Sequence, residues 1–347
     1  MKKILMAALM MGATLGAQAQ SEWFKNVKFS GYGMVQYQAS DQDQKETNGY
    51  NLRLVRMALE GRAHEDFYWK AQMQINGNAF DTKADGVTKN NMTIRLVDLF
   101  GEWQKYEFFK VKAGQFKRPF TFENPMHPIT QGFMSYSQNV SKLAGFADRT
   151  GEHASNGRDI GVQIQGDFLK NAEGRNLLHY QIGAFNGEGI NTGDADNRKD
   201  IIGGMWVMPI KGMRIGAFGW TGSRAGVGEK NRYAFSGEYM KDDWTFRTEY
   251  IHNQGWNAAH TSDKADGIYA LCIAPIQKNK FHVKARYDLY REAKEWGKSK
   301  TMYEIGADYM FTKNLQINVE YARVNDRTIN SDKHDYNMVD VELDFRF

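Results

Sequence analysis

The chain holds one cysteine, Cys272, and five prolines in 347 residues. A single cysteine excludes an internal disulfide, so an exported fold here must be held by hydrogen bonds and packing. Long hydrophobic runs are missing too. After Gln20 no stretch approaches the roughly twenty apolar residues of a spanning helix. Charge of one sign is also lacking: the formal net charge is +4, half of it from Lys2 and Lys3. With no basic run, nucleic acid is not an expected partner. Enzyme signatures are absent. The eight histidines form no His-Glu-x-x-His, and no Gly-x-Ser-x-Gly elbow occurs. Gly31-Tyr32-Gly33 lies within a strand pattern, where glycines mark close packing or curvature. Asp194, Asp196 and Asp200 crowd one loop without the spacing of an EF-hand. No catalytic set, cofactor or metal site is expected.

What the chain does have is a rhythm. From Val27 onward, roughly sixteen segments of about ten residues alternate apolar with polar side chains, as in an outer-membrane barrel. In the segment 67–78, Phe67, Trp69, Ala71, Met73 and Ile75 share one face, and Tyr68, Lys70, Gln72, Gln74, Asn76 and Asn78 the other. In the segment 314–324, Leu315, Ile317, Val319 and Tyr321 oppose Gln316, Asn318 and Glu320. The last segment sets Val339, Val341, Leu343, Phe345 and Phe347 against Asp340, Glu342, Asp344 and Arg346. Gaps between segments are alternately long (40–50, 80–92, 117–157) and short (64–66, 106–108), and the alternation continues to the end.

A soluble sandwich also alternates. Three features favour a barrel in lipid: strands longer than the usual five or six residues, an aromatic final residue, and aromatics near the ends of apolar faces. The last group includes Phe67, Trp103, Trp220, Tyr233, Trp244 and Tyr321. Proline removes a ladder donor. Pro209 and Pro275 are expected at short turns, and Pro119, Pro125 and Pro128 share one long loop. The expected fold is all-β, a sixteen-stranded antiparallel transmembrane β-barrel with short periplasmic turns and long extracellular loops. Sixteen strands enclose an aqueous lumen, which makes a pore the default function.

The N-terminus carries its own address. Met1-Lys2-Lys3 is basic, residues 4–15 are apolar, and Ala17-Gln18-Ala19 is a small-x-small site. That pattern predicts a signal peptide over 1–19, cut after Ala19, with the barrel domain over 20–347 and residence in the cell outer membrane.

The third long gap is more than a connector requires. Its Phe120, Phe122, Phe133, Met134, Tyr136 and Phe146 predict that it folds inward and packs in the lumen. Basic residues gather at its base. Lys110 and Lys112 share the lumenal face of the fifth strand, Lys117 and Arg118 follow, and Arg158 opens the sixth. Arg56, Arg62 and Lys70 point inward nearby, with Lys284 and Arg286 farther along. Such a ring favours anions. Acids on the lumenal face include Asp98, Glu102 and Glu249 but cluster on the last three strands as Glu304, Asp308, Glu320, Asp340, Glu342 and Asp344. Either a transverse field or simple pairing of charges follows.

At Lys112-Ala113-Gly114-Gln115-Phe116-Lys117-Arg118-Pro119-Phe120 the chain resembles the phosphate-selective porin O and P family of Gram-negative outer membranes. Arg158-Asp159-Ile160-Gly161-Val162-Gln163 and Phe185-Asn186-Gly187-Glu188-Gly189-Ile190-Asn191 resemble it as well. The resemblance implies a homotrimer of barrels passing anions such as phosphate, narrowed by the loop after the Gly-Gln-Phe strand. Lys112, Lys117, Arg118 and Arg158 occupy its motif positions. Unlike a strongly anion-selective channel, this chain has many lumenal acids and no continuous arginine ladder. The reading is a passive diffusion channel for small hydrophilic solutes with an anion preference, its path lined by Lys112, Lys117, Arg118, Arg158, Lys110 and Arg56. The alternatives are a general non-selective porin and a plugged structural or adhesive barrel.

Overall fold

A computed structural model describes residues 27–76, 94–145, 156–224, 228–255 and 264–347. The signal peptide, Asn78, the 80–92 gap and Phe146 lie outside the described residues.

The strands are β1 Lys28–Ser40, β2 Thr47–His64, β3 Phe67–Gln74, β4 Arg95–Tyr106, β5 Phe109–Lys117 and β6 Arg158–Lys170. Next come β7 Asn176–Phe185, β8 Asp200–Val207, β9 Met213–Thr221, the two-residue β10 Ser223–Arg224 and β11 Gly228–Lys241. Then follow β12 Trp244–Gly255, β13 Lys264–Gln277, β14 Phe281–Glu292, β15 Ser299–Thr312, β16 Leu315–Asp326 and β17 Asp335–Arg346. β10 only extends the hairpin between β9 and β11. The other sixteen form the wall, each antiparallel to its neighbours. β1 closes the cylinder on β17, with Tyr32 opposite Arg346 and Ser40 opposite Met338. Closure gives every wall strand two partners, which matters where no solvent can satisfy an edge. All sequence-neighbouring wall strands pair in order, as the alternating segments predict.

The two faces are inverted relative to a soluble protein. On β12, Phe246 is 44% exposed while the adjacent Arg247 is 3% exposed. Ile215, Phe235, Ile305 and Val319 are likewise exposed, whereas Gln72, Asp98, Glu238 and Glu342 are buried. Period-two alternation puts successive side chains on opposite faces, so the polar half of each strand lines the interior.

Two expectations need correction. Trp220, read as part of an outward aromatic girdle, is buried, 5.5 Å from Phe120. With Phe218 it makes the interior of β9 aromatic, because that stretch of wall receives the loop. Pro275, expected in a short turn, sits in β13 opposite His282 beside a register shift. The irregularity accommodates a residue that cannot donate to the ladder.

Candidate functional site

Residues 118–145 leave the end of β5 and run across the barrel interior. Their farthest anchors lie on β14, eight wall strands from β5 and so half the circumference away. The wall holds the loop backbone through charged side chains. Glu249 Oε1 accepts the N–H groups of Phe122 (2.7 Å) and Glu123 (3.0 Å). Glu320 accepts from Met134 N at 2.9 Å and Asp288 from Gln138 N at 2.8 Å. Bases take the carbonyls: Arg247 donates to Gln131 O (2.8 Å), Lys284 to Gly132 O (2.9 Å) and Arg286 to Ser135 O (2.9 Å). Buried backbone groups need such partners, and here side chains replace a ladder.

Apolar contacts reinforce the seam. Phe122 lies edge-on to Phe218 at 5.4 Å, and the Arg286 guanidinium sits 4.4 Å over the Phe133 ring. A short helix, α1 (Gln138–Leu143), is capped by Ser137, whose side chain accepts from Val140 N. Glu123 fastens the loop to itself, accepting from Ser137 N and Oγ.

Three lumenal acids of the last strands pair with Lys or Arg, whereas Asp340 accepts from Gln36 and Gln38 and Asp344 from Asn318. Glu304 pairs with Arg286 (2.5 Å), Glu320 with Lys284 (2.5 Å) and Glu342 with Arg53 (3.0 Å). Pairing therefore accounts for much of the lumenal charge that sequence reading left open.

On the other side of the loop a cavity of about 370 Å³ remains, walled by β1–β6 and flanked on the loop side by Pro125, Met126, His127 and Pro128. Arg56, Lys112, Lys117 and Arg158, four of the six predicted residues, line it together with Lys70. Two carboxylates, Asp98 and Glu102, line it with these five basic residues. Arg158 spends its charge on Asp98 (2.7 Å), and Lys112 lies 3.8 Å from Glu102. Among the described residues Lys117 meets no carboxylate: its Nζ donates to Met126 O (2.6 Å) and Tyr136 Oη (2.8 Å). Burial pushes the Tyr136 hydroxyl above its ordinary value, so it stays protonated. Arg56 donates to Gln74 (3.1 Å) and Tyr32 (3.2 Å), leaving Nη2 buried without a partner among the described residues. An unsatisfied buried guanidinium nitrogen is costly unless something anionic or polar completes it.

Residues 112 and 117 would face opposite ways on a regular strand. Between them Gly114 has φ +129°, and a Cβ there would lie 2.2 Å from the Leu99 carbonyl oxygen. Only glycine fits this close approach. The distortion falls between the two lysines, and both line the same cavity.

Lys110 and Arg118 are not among the lining residues. Lys110 pairs with Asp167 at 3.4 Å. Arg118 is fully buried, bonded to Asp159 (2.8 Å) and to Gly145 O (3.0 Å). Asp159 also accepts Gly187 N at 3.0 Å, while Lys230 binds Gly187 O (2.9 Å) and Asp200 (2.8 Å). The three quoted motifs thus meet in one buried clamp at the loop's base. Asp200 is committed there, Asp194 to Lys199, and Asp196 accepts from Arg198 N at 2.9 Å, so the acids of that loop are already partnered.

Sequence reading missed the aromatics of the cavity, Tyr32, Tyr68, Phe100 and His127. The signal for Phe100 was available: it interrupts the lumenal series Asp98, Phe100, Glu102. Burial, with Lys117 and Arg56 adding to it, drives His127 down to about 3, so the ring is neutral. Its Nδ1 accepts Ile129 N–H at 3.2 Å, consistent with that state.

A sequence-family model described as Gram-negative porin matches residues 6–329. No curated protein matches by sequence. Among solved structures, OprB of Pseudomonas putida at high pH is similar with TM-score 0.68 and 10% identity, covering 93% of this chain and 95% of that one. The Salmonella typhi OmpF complex with daunomycin gives 0.65 at 12% identity, covering 93% and 98%. The trimer form of Vibrio cholerae OmpT gives 0.57 at 11%, covering 92% and 99%. Identities this low speak for the fold alone.

Proposed function

Because this chain belongs to the Gram-negative porin family, we propose that it is an outer-membrane diffusion channel that prefers anions of the phosphate class. The observation that carries the preference is the cavity beside the loop, lined by five basic residues of which Lys70, Lys112 and Arg158 have an acid within 4 Å, while Arg56 Nη2 lacks a partner among the described residues. A solute replacing its hydration shell there meets two under-used donors, Arg56 and Lys117. Charge lining a narrow passage sets ion preference more strongly than charge spread over a wide lumen. Membership in the phosphate-selective O and P group rests on the motifs around Gly114 and Arg158. A homotrimer, cleavage after Ala19, short turns facing the periplasm and a channel rather than an enzymatic role belong to the same reading.

Influx into proteoliposomes tests it. Phosphate should enter faster than glycerol; equal or slower entry overturns the preference. Entry of neither overturns the channel and favours a second reading, a plugged barrel. That alternative draws on the loop's cross-barrel seam at Glu249, Asp288 and Glu320.

A further inference from the structure

Not everything that faces the cavity is charged. The Phe100 ring lies edge-on to Phe116 at 5.9 Å and tilted against Tyr68 at 6.1 Å. Lys112 Nζ is 5.0 Å from the Phe100 centroid and 5.4 Å from that of Phe116. On the loop side, Tyr32 meets His127 edge-to-face at 4.5 Å. Cationic donors and ring faces therefore share one compartment.

A small inorganic anion uses only half of this arrangement. It gains nothing from a ring face, whose quadrupole is negative, and rings occupy positions where polar groups would solvate it better. Size points the same way. The roughly 370 Å³ of space equals about a dozen water volumes at ~30 Å³ each and falls in the ~300–1,000 Å³ range of sites for small organic molecules. Resting on the anion-channel reading, we infer that this cavity selects organic anions with an aromatic or flat apolar body. The anionic group sits at Arg56 Nη2 and Lys117, and the ring packs against Phe100 and Phe116. Met126 and Pro128 supply the apolar cover on the loop side.

Block of chloride conductance in planar bilayers by inorganic phosphate and by phenyl phosphate tests this, since the two share a headgroup. Phenyl phosphate should block several-fold more tightly, and Phe100→Ala should remove roughly three- to tenfold of that advantage, the worth of an aromatic pair. The same substitution should change block by inorganic phosphate by a smaller factor than block by phenyl phosphate. If Phe100→Ala fails to fold, Phe100→Leu keeps most of the volume and still removes the ring. Equal block by both anions, or an advantage that survives loss of the ring, overturns the inference while leaving the anion reading intact. Block by neither anion overturns the anion reading itself.

Discussion

Arg118 and Asp159 form an ion pair with no solvent exposure on either side chain, Nη2 lying 2.8 Å from Oδ2. The Trp220 ring lies 4.9 Å from the guanidinium carbon, and Arg232 stacks on the same indole at 4.1 Å. Such a pair fixes where the loop leaves the wall. Arg118→Met should destabilise the folded barrel by about 3–5 kcal/mol, because Asp159 would remain buried without its counter-charge. Urea unfolding in detergent measures it. The folded fraction should keep its ion preference, since Arg118 does not line the cavity.

Lys117 and Lys110 make a matched comparison. Lys117 lines the cavity without an acidic partner, whereas Lys110 pairs with Asp167 off the cavity. Lys117→Gln should reduce the anion-to-cation permeability ratio by roughly fivefold, on the order of 1 kcal/mol, the attraction of a contact pair in a water-filled passage with a dielectric near 80. Lys110→Gln should leave the ratio unchanged. Zero-current potentials of the two variants check this.

Glu249 takes two loop N–H groups on one oxygen. Glu249→Ala would leave both unsatisfied, at about 1–3 kcal/mol each. Loop docking should weaken, and single-channel records should show larger and noisier steps. Quiet, unchanged steps would mean that the apolar contacts of Phe120 and Phe122 suffice to hold the loop.

His127 sets an acid limit. Its value falls from an ordinary 6.5 to about 3 in the docked loop, burial being the first cause. A released loop therefore binds a proton that the docked loop refuses. Docking is at full strength above about pH 6.5 and weakens as pH falls toward about 3. Gating noise should rise over that interval, and His127→Gln should remove this part of the rise. An identical pH profile in the variant contradicts the assignment.

Much of this architecture was legible in the chain itself. Period-two alternation is a local property, so segments such as 314–324 revealed both their strand state and the face turned to lipid. The cationic positions were visible for the same reason. What could not be read was partnership. Arg118, Arg158 and Lys117 look alike in sequence, yet one is a clamp, one is spent on Asp98 and one lacks an acid. That difference depends on residues dozens of positions away and on a loop with no periodicity. Trp220 misled for a related reason: a docked aromatic loop turns part of the lumen apolar, so the rule separating the two faces fails where loop meets wall.

The central claim is that solutes pass the cavity side of the loop under the field of Arg56 and Lys117. The most direct measurement is the zero-current potential of the purified protein in planar bilayers across a tenfold potassium chloride gradient. The account predicts discrete conductance steps and a potential whose sign shows chloride more permeant than potassium. A potential of the opposite sign, or a bilayer that never conducts, would contradict it.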